Sequence, residues 1–95
     1  MLSIKIEKSF KKDIDRDKKS GSYASEDFEI LKNIIVQLQN QEEIDLKYRR
    51  HPLKGRMLGF ESIHIRGNWI LIFKVDDIFV YLAMLGKHTQ VYKKF

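Results

Sequence analysis

The feature that most constrains this chain is a pair of apolar runs towards its C-terminal end, residues 69–75 (WILIFKV) and 78–85 (IFVYLAML), divided by Asp76-Asp77. Each run falls well short of the roughly 18 apolar residues that a membrane span requires, and each has the length of a central strand. Upstream, residues 58–66 alternate imperfectly between polar and apolar, and Gly67-Asn68 offers a two-residue hairpin turn. With Asp76-Asp77 as the second turn, a three-stranded antiparallel meander is expected, closing at Gly86.

Earlier segments read differently. Ser3 to Glu7 sets Ile4 and Ile6 on one side and polar residues on the other, the alternation of a half-buried strand. Phe10 and Ile14, spaced by one helical turn among lysines and aspartates, suggest a short, strongly charged helix ending near Gly21. In the next segment Phe28, Leu31, Ile34, Ile35 and Leu38 recur at three and four, after Ser25 as N-cap and with Glu26, Asp27 and Glu29 at the positive end of the dipole. This helix should reach about Gln41. The order strand, helix, helix and strand meander predicts an α+β fold in one domain, residues 1–95, with the helices on one face of a single sheet and the other face partly free for a ligand.

Composition narrows the function. The chain has no cysteine, which leaves no disulfide scaffold and no thiolate zinc site and makes the cytoplasm the expected compartment. No stretch resembles a membrane anchor. The net charge is +5, distributed as +3 over residues 1–20, −4 over 21–48 and +6 over 49–95, and the last stretch also holds His51, His64 and His88. A polyanion such as nucleic acid would concentrate there, although the same charge on a small domain also serves solubility alone.

Three motifs in that basic stretch carry a family resemblance: His51-Pro52-Leu53-Lys54-Gly55, then His64-Ile65-Arg66-Gly67-Asn68-Trp69-Ile70-Leu71-Ile72, then Gly86-Lys87-His88. In this order and spacing they resemble the YafQ branch of the RelE/ParE toxin superfamily, and the likeness spans almost the whole chain. The resemblance implies a RelE-like fold and the toxin half of a bacterial type II toxin-antitoxin pair. It implies cleavage of messenger RNA at the ribosome, and silencing by an acidic cognate antitoxin in an oligomeric complex, the free toxin being monomeric. A gyrase-blocking toxin of the ParE type and an RNA-binding module without catalysis are the alternatives. The three histidines argue against the first, and Asn68 keeps the second open.

Metal-independent RNA cleavage needs a base for the ribose 2′-OH, an acid for the departing 5′-oxygen, and cations for the charge gathering on phosphorus. Imidazole, with an ordinary pKa near 6.5, serves as base or acid near neutrality. By resemblance His51, His64 and His88 match histidines that the family uses in catalysis, with His88 the principal acid/base residue. Alternation in the strand turns His64 away from Ile63 and Ile65, and would set Arg66 beside it on the same face. Lys54 and Arg56 join Arg66 as candidate cations at the phosphate, while Arg49, Arg50 and Lys87 are candidate contacts along the RNA backbone. No cofactor and no metal site are expected, because the sequence has no close pair of His, Asp or Glu with ligand spacing.

Two positions depart from the family pattern. Asn68 stands where the family's branch carries an aspartate, and an amide accepts a hydrogen bond but cannot act as a carboxylate base. It is both a candidate site residue and half of a tight turn. Tyr92 stands where phenylalanine is usual; its ring can stack on a base and its hydroxyl can reach a phosphate. Trp69 allows base stacking or core packing, core packing being the more common fate at the start of a central strand. Lys93, Lys94 and Phe95 either extend the basic surface or fray.

Overall fold

The computed structural model describes residues 1–94; Phe95 lies outside the described residues. The chain runs β1 (Ser3–Ile6), α1 (Lys8–Ser20), α2 (Ser25–Gln39), β2 (His51–Pro52), β3 (Glu61–Arg66), β4 (Trp69–Val75), β5 (Phe79–Lys87) and a one-turn α3 (His88–Val91). Short 3-10 turns lie at Leu46–Tyr48, Gly55–Met57 and Tyr92–Lys94. The strands form one mixed sheet in the order β1-β5-β4-β3-β2, with β1 parallel to β5 and the other neighbours antiparallel. This is the α+β arrangement expected, with β2 and α3 added. No helix among the described residues is long and apolar enough to cross a membrane.

Both faces of the sheet carry a packed core, where one was expected to be partly free. On one side Trp69, Leu71 and Phe73 of β4 and Ile63 and Ile65 of β3 pack with Phe10 of α1 and Leu31, Ile34 and Leu38 of α2. On the other, Ile70, Ile72, Ala83 and Met84 meet Met57 and Val91, with Leu53, Phe60 and Tyr92 against them. The second face is therefore not left free by the helices. The loop after β2 and the C-terminal turn close over its middle, leaving its ends accessible.

Two local expectations are revised. The α2 helix begins at Ser25 but its N-cap is Ala24, because Asp27, one turn inside, accepts the Ala24 N–H at 2.8 Å. The carboxylate supplies the cap that Ser25 was expected to give. Gly86 does not end the last strand, since β5 continues in register to Lys87 opposite Trp69. Gly86 sits at φ 157°, a conformation that disfavours a side chain, and a Cβ there would also lie 2.8 Å from Arg16 Nη2 and 2.9 Å from Gln90 Oε1. Tyr81 lies outside both cores and donates its hydroxyl to Asp76 at 2.9 Å.

The charged helix α1 has a structural task that its sequence conceals. β1 has four residues and β5 nine, so the pairing of Ser3–Ile6 with residues 79–82 leaves the rest of that β5 edge without a strand. Backbone groups there would be orphaned. Side chains on one stripe of α1 replace the missing strand: Ser9 Oγ donates to the Ala83 carbonyl at 2.5 Å, Asp13 Oδ2 accepts the Leu85 N–H at 3.0 Å, and Arg16 Nη2 donates to the Leu85 carbonyl at 2.8 Å. Asp17, next on the stripe, accepts the Trp69 indole N–H at 2.8 Å and pairs with Arg16 Nε at 2.9 Å. Asp13 and Asp17 are only 3% and 4% exposed, so these are interior carboxylates, not solvated charges. The Asp17 hydrogen bond raises the Arg16 pKa above its ordinary value, and the guanidinium stays charged.

Replacing Asp17 with alanine should strand the buried indole N–H and lower stability by about 1 to 3 kcal/mol, visible as a lowered urea midpoint and altered tryptophan fluorescence. Leu38→Ala, which empties volume between α2 and the sheet, should cost about 2 to 5 kcal/mol by the same measurement.

Candidate active site

The register of the sheet sorts the candidate residues into two rows. His64 pairs with Ile70 and Ile70 with Gly86; one step on, Arg66 pairs with Trp69 and Trp69 with Lys87. Cross-strand partners share a face, and neighbouring rows face opposite ways. His64 thus lies on the face of the second core, opposite the helices, and Ser62 lies on the same face through its partner Ile72.

On that face β2 brings His51 beside Ser62, and the His51 and His64 rings come to 6.3 Å between centroids. Each ring is held by a backbone carbonyl. His51 Nδ1 lies 2.9 Å from the Arg49 carbonyl, and His64 Nδ1 lies 3.1 Å from the Gly67 carbonyl. A carbonyl only accepts, so Nδ1 carries the hydrogen in both and Nε2 is the basic nitrogen of each neutral ring. The hydroxyl of fully buried Ser62 lies 3.2 Å from His51 Nε2. Arg49 is held at φ 54°, a left-handed conformation that costs a non-glycine residue about 1 to 2 kcal/mol and turns its carbonyl to the imidazole.

His88 opens α3 on the far side of the same hairpin. Gly86, two residues before His88, lies in the row of His64 and Ile70, two strand spacings from His64, about 10 Å, with the floor between them formed by fully buried Ile70. The Asn68 side chain fastens this end: Oδ1 accepts the His88 N–H at 2.9 Å, while Lys87 N–H donates to Gln90 Oε1 at 2.8 Å. The Gly67-Asn68 turn therefore receives the His64 ring through one residue and the His88 backbone through the next. Tyr92, one helical turn beyond His88, sets its ring 4.5 Å from the imidazole and packs on the second core.

The cations divide. Lys54 and Arg56 are exposed on the loop over the histidine face and make no ion pair among the described residues. Arg49 is likewise exposed and unpaired there. Arg66 is a correction: a bulge between His64 and Arg66 breaks the alternation, and the guanidinium reaches Asp27 at the start of α2, Nη1 to Oδ2 2.6 Å, away from His64's face. Lys87 shares that opposite row. Arg50 is corrected as well. Its guanidinium makes two bonds to Glu61, 2.9 and 3.0 Å, and lies over Phe73, so it is committed within the fold. Trp69 is no platform for a base. At 1% exposure it is stacked by Tyr23 at 4.3 Å, edged by Phe28 at 5.2 Å and bonded to Asp17. Burial among these rings pushes the Tyr23 phenol up, with the nearby Asp17 charge adding to it.

Ser62 escaped the sequence reading, although its position two residues before His64 in one strand was the signal. Asp13, Asp17 and Asp27 escaped it because a buried acid and a solvated one look alike in a charged helix.

Comparison with known proteins identifies the family and the fold. The family described as bacterial toxin of type II toxin-antitoxin system, YafQ, matches residues 2–93. Among curated relatives, the mRNA interferase toxin YafQ of Escherichia coli K12 is 28% identical over 78 residues, 81% of this chain and 85% of the relative. Among solved structures, a copper-bound mutant toxin from Helicobacter pylori superposes with a TM-score of 0.86 at 32% identity, covering 96% of this chain and 99% of the other. The E. coli DinJ-YafQ toxin-antitoxin complex gives 0.83 at 25% identity over 96% and 97%. In this chain no group of three or more His, Asp or Glu side chains is gathered as a metal site among the described residues. With a family match over nearly its whole length and the fold shared at that level, the chain belongs to the YafQ family of bacterial type II toxins.

Proposed function

We propose that this chain is an endoribonuclease that cleaves messenger RNA at the ribosome by acid/base chemistry and is silenced by an acidic antitoxin. The observation that carries the reading is the pair of carbonyl-anchored imidazoles, His51 and His64, 6.3 Å apart on one sheet face with His88 across the same floor. The name of the E. coli relative, an mRNA interferase, supports the same class of reaction, and its DinJ complex supports an antitoxin partner.

In the proposed step one imidazole Nε2 takes the proton of a ribose 2′-OH. The 2′-oxygen attacks the adjacent phosphorus, and the bond from phosphorus to the 5′-oxygen breaks. A second imidazole, in its protonated form, gives a proton to that leaving oxygen, and the products are a 2′,3′-cyclic phosphate and a free 5′-hydroxyl. Each proton transfer is worth ~10² to 10⁴ in rate. His88 is assigned as the principal acid/base group, with His51 and His64 as partner and orienter. Lys54 and Arg56 supply positive charge to the phosphate oxygens without being neutralised within the fold, and Arg49 follows along the backbone. Tyr92 holds the His88 ring by contact and can stack on a base. Asn68, a neutral amide, cannot take up a proton as a carboxylate base would, but its amide oxygen fixes the start of α3 under His88.

In a translation extract programmed with a defined message, wild-type protein should give reverse-transcription stops within codons. His88→Ala should reduce them at least ~100-fold with an unchanged melting temperature; a fully active variant would remove the assignment. Arrested DNA supercoiling with intact message would instead identify a gyrase poison. Asn68→Asp keeps an oxygen for the His88 N–H and should leave cleavage unchanged or raise it, whereas Asn68→Leu, which lacks one, should lower it.

A further inference from the structure

Beside the histidine pair lies a feature that the cleavage chemistry does not use. β2 pairs with β3 only at Ser62 and Glu61, so the outer edge of β3 is open from residue 63 onwards. The Leu53 N–H bonds the Phe60 carbonyl on this edge, and alternation then turns the backbone groups of Ser62 and His64 the same way. His64 therefore presents an N–H and a C=O past the point where β2 ends. Facing them is the 3-10 turn Leu46–Tyr48, and the two enclose a hollow of about 280 Å³ lined by Lys47, Tyr48, Arg49, His64, Arg66 and Gly67. Drug-sized sites begin near ~300 Å³, so this one suits a single flat group.

The lining is of three chemical kinds. Tyr48 is half-buried against the helix-side core, and its hydroxyl has no hydrogen-bond partner among the described residues. Lys47 Nζ lies 5.2 Å from the centre of that ring, and Arg49 stands exposed at the next position. An aromatic face, a backbone donor and acceptor side by side, and two cations at the mouth are what a base of single-stranded RNA requires: stacking, edge recognition and phosphate contact. A peptide strand laid on the same edge would use the backbone groups, and an acidic one the cations, but it would leave the aromatic face without a stacking partner.

We infer that this hollow receives one base next to the scissile phosphate, with Tyr48 as its stacking platform, the His64 backbone N–H and C=O reading its edge, and Lys47 and Arg49 on its phosphate. The inference rests on the nuclease reading and adds to it a determinant of where the message is cut.

Two measurements test it. In the translation extract, Tyr48→Ala should raise KM and lower kcat/KM at the preferred sites ~5- to 150-fold, the range that loss of one stacked base gives, and redistribute the cut positions. Tyr48→Phe should restore the wild-type pattern, while Tyr48→Leu, which fills the core but cannot stack, should not. An unchanged pattern in Tyr48→Leu, or a uniform loss at all sites that follows the melting temperature, would overturn the proposal. Separately, a short single-stranded RNA is titrated into full-length His88→Ala protein while the Tyr48 ring signals are followed by NMR. Shifts confined to Tyr48 and its neighbours are expected, and they would stand even if no cleavage were ever seen. Rings undisturbed by RNA but shifted by the antitoxin would assign the edge to a protein strand and overturn it.

Discussion

The structure depends on how the open edge of β5 is satisfied. A four-residue strand covers only the first part of a nine-residue one, and α1 completes the work with Ser9, Asp13 and Arg16 bonded to the backbone of Ala83 and Leu85. Polar side chains at helical spacing stand in for a strand's N–H and C=O groups. Because Arg16 closes on the strand beside Gly86, and Asp17 takes the Trp69 indole N–H, the same contacts fix the helix, the end of β5 and the start of β4 relative to one another. His88 follows two residues later. Its position is inherited from this clamp.

The site sits at the other end of the same logic. Two carbonyls, from Arg49 and Gly67, hold the Nδ1 atoms of His51 and His64, so both rings offer the same nitrogen. The two-residue turn at 67 and 68 ties His64 on one side to His88 on the other through main-chain and side-chain oxygens. An asparagine serves this joint as well as an aspartate, since accepting an N–H requires oxygen, not charge. The departure from the family pattern at this position is thereby compatible with an intact framework. What it changes is the charge beside the imidazole.

Sequence reading reached the helices, the meander and the face of His64 because burial writes itself as period in a chain: 3.6 in α2, two in β3, and unbroken apolarity in β4 and β5. It failed where one residue changed the phase or where a partner was distant. The bulge before Arg66 turned a candidate phosphate ligand into an ion pair with Asp27. Arg50 found Glu61 eleven residues on, and Trp69 found Asp17 fifty-two residues back. None of these pairings leaves a local trace, because charge and ring are the same letters whether exposed or enclosed.

By itself, then, the sequence determined the fold class, the buried strands, the family and the three histidines, since these follow from residue type and spacing along one chain. Only the tertiary structure decided which cations remain available, that His51 and His64 adjoin, that both present Nε2, and that β3 keeps an open edge beside Tyr48. The reason is physical: hydrophobic periodicity is a local property of a strand or helix, whereas hydrogen-bond and ion-pair partners are chosen by proximity after the chain has closed on itself.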